Sequence, residues 1–519
     1  MKQRITYLQG EGTDIDVNSL HVNPDSLVFS NAEQAALQKR VTVGLSDLPT
    51  SITEVLDNVH ELHIRWSSPR NDELPSPLVS RLPSGLHVFF TPRSAGTDVP
   101  ICELLQTLFG AELQCHTVVD SFSRPQITSE RFSAAASYQY FHVLPTLHNF
   151  SQWFDSNICR ADLKIKLACG IEADAVTRAA SLDLDFDAIS HAVATTVAWK
   201  ADSDWLEPLT HPNTARAIVQ LNERDSIEVG VLQPAHQPTD EPEELSLGGY
   251  LTTLGDEETH EPSATLFAFP SRHHALPQKL AKQKYRAAFQ QPTGLHPKLD
   301  LTFAPARSVT PPADSCALHA YLTFPVSLFI DRYQFSDSLS LKSQNLKALH
   351  SLSGEDDLEA PAWVLKSWGS AALFEVAHPN TTESATSDPW TITIPTHLRY
   401  VKPSTNVSAS SQENLQIPSP ILFWACPAEE GLKFATNPFD RVNLGFDGLF
   451  GPKTLFYNVP SADETGLLDL KVPILDSASS GWVSMATSAV VIAGFSWVMW
   501  KLFGGDAGAR VEKSGKKTQ

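Results

Sequence analysis

The feature that most restricts what this chain can fold into is an uncharged run near its C-terminus. It begins at Trp482, ends at Trp500 and reads WVSMATSAVVIAGFSWVMW. A helix rises about 1.5 Å per residue, so the run nearly matches the ~30 Å hydrocarbon core of a bilayer. Tryptophans lie near both ends, at the depth that amphipathic rings favour. The run predicts one transmembrane helix over residues 482–502, through which the chain contacts the lipid bilayer.

Small side chains along this helix predict a close contact with another membrane helix. Glycine, alanine, serine and threonine let two helix backbones approach each other in the bilayer. The small residues of the run are Ser484, Ala486, Thr487, Ser488, Ala489 and Gly494.

The segment that follows the helix is basic, which predicts its location. By the positive-inside rule, we expect residues 503–519 to form a cytosolic tail. Near the end of this tail, Lys516 and Lys517 resemble a dilysine retrieval signal, which returns membrane proteins to the endoplasmic reticulum. The helix and the tail together predict a single-pass protein of the endoplasmic reticulum membrane.

The location of the large N-terminal part is left open by the residues alone. The first twenty residues contain no apolar run of the signal-peptide type, so the large part either crosses into the lumen or stays cytosolic, as in a tail-anchored protein. Three Asn-x-Ser/Thr sequences at Asn149, Asn380 and Asn406 are candidate glycosylation sites. Six cysteines are compatible with lumenal disulfides without requiring them.

Overall charge excludes one class of partner. The formal net charge is −20, and no long basic run interrupts the acidic surface, whereas binding to phosphates needs a basic face. We therefore expect no nucleic acid partner. The basic stretch from Lys279 to Arg286 is interpreted as a solvated helix face.

Hydrophobic periodicity predicts a mainly β fold with some α-helix. Apolar residues alternate with polar ones around Leu62, Leu86, Leu318 and Trp390, as in half-buried strands. Residues 421–426 are apolar on both sides, which indicates a strand covered on both faces. These patterns predict an α+β region over residues 1–231, a proline-broken linker and connecting segment over 232–289, and a β-sandwich-like domain over 290–480.

Candidate catalytic residues are few. Asp183, Asp185 and Asp187 form an Asp-x-Asp pattern, which in some glycosyltransferases holds a metal ion, but the simpler interpretation is a solvated strand face. The sequence His60-Glu-Leu-His63 lacks the four-residue spacing of a helical zinc site, and we interpret it as the polar side of a strand. The pair His273-His274 is interpreted as part of a loop. We expect no catalytic residues, no cofactor and no metal site.

Several segments, in order, resemble the PIG-X family. The resemblance covers roughly residues 290–503, and the N-terminal sequence QRITY at 3–7 is similar to the fungal branch of that family. The matching segments are GLHP at 294–297, CALHAYL at 316–322, PVSLFIDRYQF at 325–335 and IPTHLRY at 394–400.

The resemblance implies a function that no motif supplies. Members of the family are the non-catalytic, stabilising subunit of the first mannosyltransferase of GPI-anchor synthesis, and fungal members have chaperone-like roles for other lumenal proteins. The implied partner is the multispanning catalytic subunit, and the implied location of the large domain is the lumen. Within the matching segments, Asp331, Tyr333, His397, Arg399 and Tyr400 are either partner contacts or internal scaffolding.

Two alternatives remain open at this point. One is a tail-anchored cytosolic adaptor of the endoplasmic reticulum, which the missing signal peptide allows. The other is a membrane-anchored glycosyltransferase that uses Asp183 and Asp185.

Overall fold

The computed structural model describes most of the chain. The described residues are 2–10, 15–23, 26–30, 35–70, 74–78, 82–94, 98–125, 137–159, 173–201, 216–220, 226–235, 244–255, 261–306, 309–379, 388–403, 412–429, 434, 437–440 and 444–503.

The first half of the chain is built on one large sheet. Its ten strands are ordered β13-β12-β11-β1-β4-β9-β8-β5-β6-β7, and all neighbours are antiparallel except β1 and β11. A smaller sheet has the order β10-β3-β2. The strands are β1 (Lys2–Gln9), β2 (Leu20–Asn23), β3 (Ser26–Ser30), β4 (Ala35–Gly44), β5 (Val59–Ser67), β6 (Gly85–Pro92), β7 (Tyr138–His142), β8 (Ser181–Asp187), β9 (Ala192–Trp199), β10 (Arg216–Gln220), β11 (Ser226–Pro234), β12 (Glu244–Leu254) and β13 (Ser263–Pro270).

The short helices of the first half pack against the apolar face of the large sheet. The helices of the described chain are α1 (Thr50–Leu56), α2 (Ile101–Phe109), α3 (Val118–Ser121), α4 (His148–Phe154), α5 (Ala173–Thr177), α6 (Ser338–Ser343) and α7 (Ser480–Phe503). Helix α2 buries most of its length, including Leu104, Leu105 and Leu108, because these residues recur at helical spacing. It ends at Gly110, whose φ of 117° is a backbone conformation that favours glycine.

The second half contains the remaining strands. A six-stranded sheet has the order β14-β25-β24-β17-β20-β19; smaller sheets are β15-β16-β21, β18-β22 and β23-β26. The strands are β14 (His273–Ala275), β15 (Tyr285–Phe289), β16 (Lys298–Phe303), β17 (Ala317–Pro325), β18 (Leu328–Phe329), β19 (Leu346–Gly354), β20 (Gly369–Val376), β21 (Trp390–Pro395), β22 (His397–Leu398), β23 (Gln412–Pro418), β24 (Ile421–Pro427), β25 (Thr454–Val459) and β26 (Leu467–Pro473).

The six-stranded sheet is the middle layer of the molecule. On β17, Leu318, Leu322 and Phe324 pack into a core shared with the smaller sheets, whereas Tyr321 points to the opposite face and joins the core of the first half. Strand β24 divides in the same way, with Trp424 on one side and Phe423 on the other. Both strands are therefore apolar on both faces, which confirms the expectation for residues 421–426.

The mainly β fold with a C-terminal helix is confirmed, but several local expectations differ. The segment 232–289, expected to be a linker and connecting segment, carries β12 and β13, which extend the ten-stranded sheet, and β14 and β15 of the second half. The proline-broken stretch within it connects β11 and β12, which pair as a hairpin. Polar composition marks a loop but does not distinguish a domain linker from a hairpin connection.

Two expectations for basic residues and histidines were wrong. The stretch from Lys279 to Arg286 does not form the expected helix face, because it passes from a three-residue 3₁₀ helix at Gln278–Leu280 into β15. His273 and His274 lie in β14 rather than in a loop, and both are buried. β14 pairs with β25, a strand far away in the sequence, and this pairing buries the two histidines. The local sequence pattern carries no sign of such a pairing.

Helix α7 is the candidate transmembrane segment of the described chain. The apolar helical region covers Ser477–Phe503, with a mean hydropathy of 1.6, and none of its apolar window is buried inside the protein. Trp482 and Trp500 stay exposed at its two ends. The composition and exposure of α7 are those of a single-pass membrane protein.

Within the part of the chain that the structure describes, one disulfide lies in each half. Cys102 of α2 is bonded to Cys115, and Cys316 is bonded to Cys426 of β24. The second disulfide closes a separation of 110 residues and lies beside the paired residues Ala317 and Ala425 of two neighbouring strands.

Candidate partner-binding surface

Three of the sequence motifs meet around the two-stranded sheet of β18 and β22. Leu328 and Phe329 pair with Leu398 and His397, and the backbone nitrogen of Arg399 donates to the Ser327 carbonyl at 2.9 Å. The loop at 294–297 joins the same structure, because the nitrogen of Leu398 donates to the Leu295 carbonyl at 3.0 Å. Segments 100 residues apart in sequence thus build one local structure.

Arg399 is an internal residue of this structure. It is 3% exposed, its guanidinium carbon lies 4.3 Å from the centre of the Phe329 ring, and Nη1 donates to the Ala360 carbonyl at 2.9 Å. Among the described residues, Nε and Nη2 have no hydrogen-bond partner. Burial lowers the pKa of Arg399, and the charges of Glu355 and Asp357 oppose this shift. Arg399 therefore holds β22 to the 355–360 segment instead of meeting a partner.

Asp331 and His397 also have structural roles. The Asp331 carboxylate accepts from the backbone nitrogen of Tyr333 at 2.9 Å and so begins the turn at Arg332–Ser336. His397 Nδ1 lies 2.9 Å from His296 Nδ1, and its Nε2 lies 3.1 Å from Gln334 Oε1. Burial, together with the neighbouring His296, lowers the pKa of His397.

Tyr333 and Tyr400 differ from these three residues because their rings face solvent. Tyr333 is 68% exposed and Tyr400 is 66% exposed. Beside Tyr400 lie other exposed apolar side chains, those of Trp363 and Val364, on a segment whose Ala362 nitrogen donates to the Tyr400 carbonyl at 3.0 Å. We call Tyr333, Trp363, Val364 and Tyr400 the exposed aromatic patch.

The exposed aromatic patch has the composition of a contact surface. Tyrosine and tryptophan are enriched where one protein buries surface against another, whereas scattered single apolar residues need no such explanation. An ion pair between Arg332 and Asp356, 2.6 Å apart, ties the turn that bears Tyr333 to the neighbouring 355–360 segment. The sequence motifs contain both tyrosines, but Trp363 and Val364 carried no recognisable signal.

The Asp-x-Asp pattern of β8 is used in cross-strand ion pairs. Asp183 lies opposite Arg65 of β5. Arg65 Nη1 lies 2.7 Å from Asp183 Oδ2, and Arg65 Nη2 lies 3.1 Å from Asp185 Oδ1. Asp185 Oδ1 is also 2.7 Å from Nδ1 of His63. Asp187 accepts from the backbone nitrogens at the following turn. The face is a partly buried ion-pair network and not the freely solvated face that we expected.

Electrostatics within this network favour the charged forms. Burial alone raises the pKa of Asp185, but the Arg65 charge and the His63 hydrogen bond outweigh it and hold the pKa at about 2. Burial opposes the protonated form of His63, yet hydrogen bonds to Asp185 and Glu61 raise its pKa above the usual value. The ion pairs and hydrogen bonds within this network balance its charges, so the arrangement of the carboxylates needs no bound ligand to explain it.

The predicted modification and signal residues fall in different places. Asn149 lies in α4, half-buried, and its amide nitrogen donates to the Phe109 carbonyl at 3.0 Å. Asn380, Asn406, Lys516 and Lys517 lie outside the described residues. All five assignments stay predictions.

These features define the protein as a layered β protein with one candidate transmembrane helix and an exposed aromatic patch. A model of the family described as PIG-X / PBN1 matches residues 292–503. The chain is 40% identical to the protein pbn1 of Emericella nidulans and 39% identical to that of Neurospora crassa, in each case over 97% of this chain and 95% of the relative. The Yarrowia lipolytica protein PBN1 is 24% identical over 96% of this chain and 95% of its own length. The chain belongs to the PIG-X / PBN1 family.

Membership in this family confirms the resemblance described above. It supports assignment to the subunits of GPI-anchor biosynthesis. The matched segment begins just before β16 and ends with α7, so it includes the exposed aromatic patch and the candidate transmembrane helix.

Proposed function

We propose that this protein is the non-catalytic, stabilising subunit of the GPI-anchor mannosyltransferase I complex, required for addition of the first mannose to the GPI precursor. The observation that carries the proposal is the relationship to the pbn1 proteins over nearly the whole chain, which includes both β halves and α7. A chaperone-like role for other lumenal proteins belongs to the same proposal.

The proposed location is the endoplasmic reticulum membrane, with the β layers in the lumen and the C-terminus in the cytosol. Two features support this orientation. Disulfides such as Cys316–Cys426 form and persist in oxidising compartments, which favours the lumen. The basic tail after α7 favours the cytosol, where Lys516 and Lys517 act as a retrieval signal.

The proposed partner is the multispanning catalytic subunit. One helix cannot enclose a lipid-linked sugar donor, so the chemistry takes place in a protein with several membrane helices. Helix α7 exposes its small side chains along its length, and such side chains permit close packing between helices. The exposed aromatic patch then contacts the lumenal side of the same partner.

Stabilisation of the partner follows from mass action. A protein that binds only the folded form of its partner increases the folded population, and the effect grows with the concentration of the bound species. This role requires no catalytic group in the chain, and the ion pairs of Asp183 and Asp185 leave these carboxylates engaged with Arg65 and His63.

Depletion of this protein tests the proposal. We expect the amount of the catalytic subunit to fall and the GPI precursor without mannose to accumulate. The full chain should restore both, whereas a form in which an unrelated membrane-spanning helix replaces α7 should restore them less well. Unchanged amounts of catalytic subunit and normal mannose addition after depletion would contradict the proposal.

A protease-protection experiment separates this proposal from the tail-anchored cytosolic adaptor. We expect the large part of the chain to be protected in sealed microsomes and any glycosidase-sensitive shift to require Asn380 or Asn406. Asn149 is half-buried within α4 and donates to the Phe109 carbonyl, so we expect it to be a poor acceptor of a glycan. Digestion of the large part in intact microsomes would favour the cytosolic adaptor instead.

A further inference from the structure

Three side chains of metal-binding type converge on one face of the six-stranded sheet. They are His319 of β17, His350 of β19 and Glu375 of β20. Strand β20 lies between the other two, so one histidine stands on each side of the glutamate. Their donor atoms all lie within 4.8 Å of one another.

The cross-strand register accounts for the first pair. His319 lies directly opposite Glu375 in the antiparallel pairing of β17 and β20. Residues in this position place their side chains on the same face of the sheet, with Cβ atoms roughly 5 Å apart. The approach of the two side chains is therefore a property of the sheet and not of a flexible loop.

A β-bulge brings in the third side chain. Between β19 and β20 the register shifts from Leu349 to Ser351, which leaves His350 as the extra residue. Bulges redirect a side chain relative to the regular strand. Here His350 Nε2 lies 2.9 Å from Glu375 Oε2.

His319 is already oriented as a metal ligand. Its Nδ1 lies 3.0 Å from the Ala317 carbonyl oxygen, which can only accept a hydrogen bond, so Nδ1 carries the proton and Nε2 keeps its lone pair. Metal-binding histidines commonly show this arrangement. The ring is also held by Phe423, which stacks on it, and by the edge of Phe450, with centroids 5.7 Å and 5.0 Å away.

Glu375 has a supporting contact of the same kind. Its other oxygen, Oε1, lies 3.2 Å from Nζ of Lys347, so Oε2 remains the oxygen that faces His350. A hydrogen bond to the second oxygen of a carboxylate is a typical outer contact of a metal ligand. The Lys347 side chain is 44% exposed and can turn into solvent as the site adjusts.

We propose that His319, His350 and Glu375 form a binding site for a divalent transition-metal ion of the Zn²⁺ class. Two imidazoles and one carboxylate are a common zinc ligand set, and with metal–ligand distances of about 2.0–2.2 Å the fourth position is left to solvent. The solvent position lies on the side of His350, which is exposed, whereas His319 is buried. The ion joins edge strand β19 to the two inner strands β20 and β17.

Zinc binding to the full-length protein in detergent tests this site. After removal of metals with a chelator, binding of Zn²⁺ alone is measured by competition with a chromophoric chelator. We expect one Zn²⁺ per wild-type chain and at least a tenfold loss of affinity in His350→Ala and Glu375→Gln. His21→Ala, which removes an exposed strand histidine from the first half, should bind as the wild type does.

Two results would overturn the proposal. One is the absence of Zn²⁺ binding by the wild-type chain at micromolar concentrations; the other is wild-type affinity in both variants. Thermal unfolding provides a second measurement, because Zn²⁺ should raise the midpoint of the wild type and leave that of His350→Ala unchanged. Equal midpoints of the two metal-free proteins would establish that the variant is folded.

Discussion

The indole nitrogen of Trp368 donates a 2.9 Å hydrogen bond to the Ser123 hydroxyl, and this contact crosses from the second half of the chain to the first. The Trp368 ring also packs edge-on against Phe141 of β7, with centroids 5.9 Å apart. Since Trp368 immediately precedes β20, it anchors the middle layer of the molecule to the ten-stranded sheet. The two halves therefore share one continuous core.

Replacement of Trp368 should weaken this anchor. Trp368 is 6% exposed, and truncation of a buried aromatic side chain costs about 3–5 kcal/mol of unfolding free energy. We expect Trp368→Ala to lower the unfolding free energy by this amount and to unfold at a lower denaturant concentration. Chemical unfolding of the detergent-solubilised chain measures both. Trp363→Ala removes the same side chain from a site that is 45% exposed and should have little effect. Equal losses in the two variants would exclude a special role for Trp368.

Replacement of Asp185 by asparagine should produce a pH-dependent loss of stability. The folded-state pKa of about 2 lies below the ordinary value of 3.8, so the charged carboxylate stabilises the fold at pH values above the ordinary pKa. A shift of this size corresponds to about 2 kcal/mol at pH 5. As the pH falls through 4 toward 2, the wild type loses this contribution, and its difference from Asp185→Asn should shrink.

Urea unfolding at pH 5 and near pH 2.5 measures that difference. Asp187→Asn is the matched control, because an amide oxygen can still accept the hydrogen bonds from Ile189 and Ser190 at the turn. If the difference in unfolding free energy between the wild type and Asp185→Asn were the same at both pH values, this result would contradict the proposed ion pairing with Arg65 and His63.

Replacement of the exposed aromatic patch should reduce association with the catalytic subunit. Truncation of an aromatic hot-spot residue costs about 2 kcal/mol, which corresponds to roughly a thirtyfold loss of affinity. We expect Trp363→Ala combined with Tyr400→Ala to decrease co-purification and to leave the fold intact. Ile189→Ala removes an exposed apolar residue, 93% accessible, from the first half and should co-purify normally. Normal recovery of the partner with the double variant would exclude this surface.

The Cys316–Cys426 disulfide should stabilise the middle layer. It closes a long chain segment between neighbouring strands, and loss of such a bond typically costs about 2–4 kcal/mol. We expect the Cys316→Ser, Cys426→Ser double variant to unfold at a lower denaturant concentration than the wild type. A reductant should lower the denaturation midpoint of the wild type toward that of the double variant. A double variant with an unchanged midpoint would show that the strand pairing alone sets the stability.

Sequence patterns were sufficient where the signal is local. The alternation around Leu62 and Leu318 correctly predicted β5 and β17. The same method failed for His273 and His274, whose burial depends on the pairing of β14 with a strand nearly 200 residues later. Local composition contains no information about such a pairing.

For the candidate sites as well, the sequence located a region and the structure decided which residues are exposed in it. The motifs identified the region around β18 and β22, but only the structure separated buried Arg399 from exposed Tyr400, which are adjacent in sequence. Likewise, no sequence pattern predicted that Trp363 and Val364 belong to the exposed aromatic patch. Adjacent residues of an extended segment point in opposite directions, so their roles depend on what packs against each side.

By itself, the sequence determined the candidate transmembrane helix, the mainly β character and the family resemblance, because each of these depends on residues close together in the chain. The tertiary structure decided which charges pair in β5 and β8 and which side chains share a site. His319, His350 and Glu375 are separated by 31 and 25 residues, and they meet only through strand register and a bulge. Register is set by packing across the whole sheet, so no local pattern specifies it.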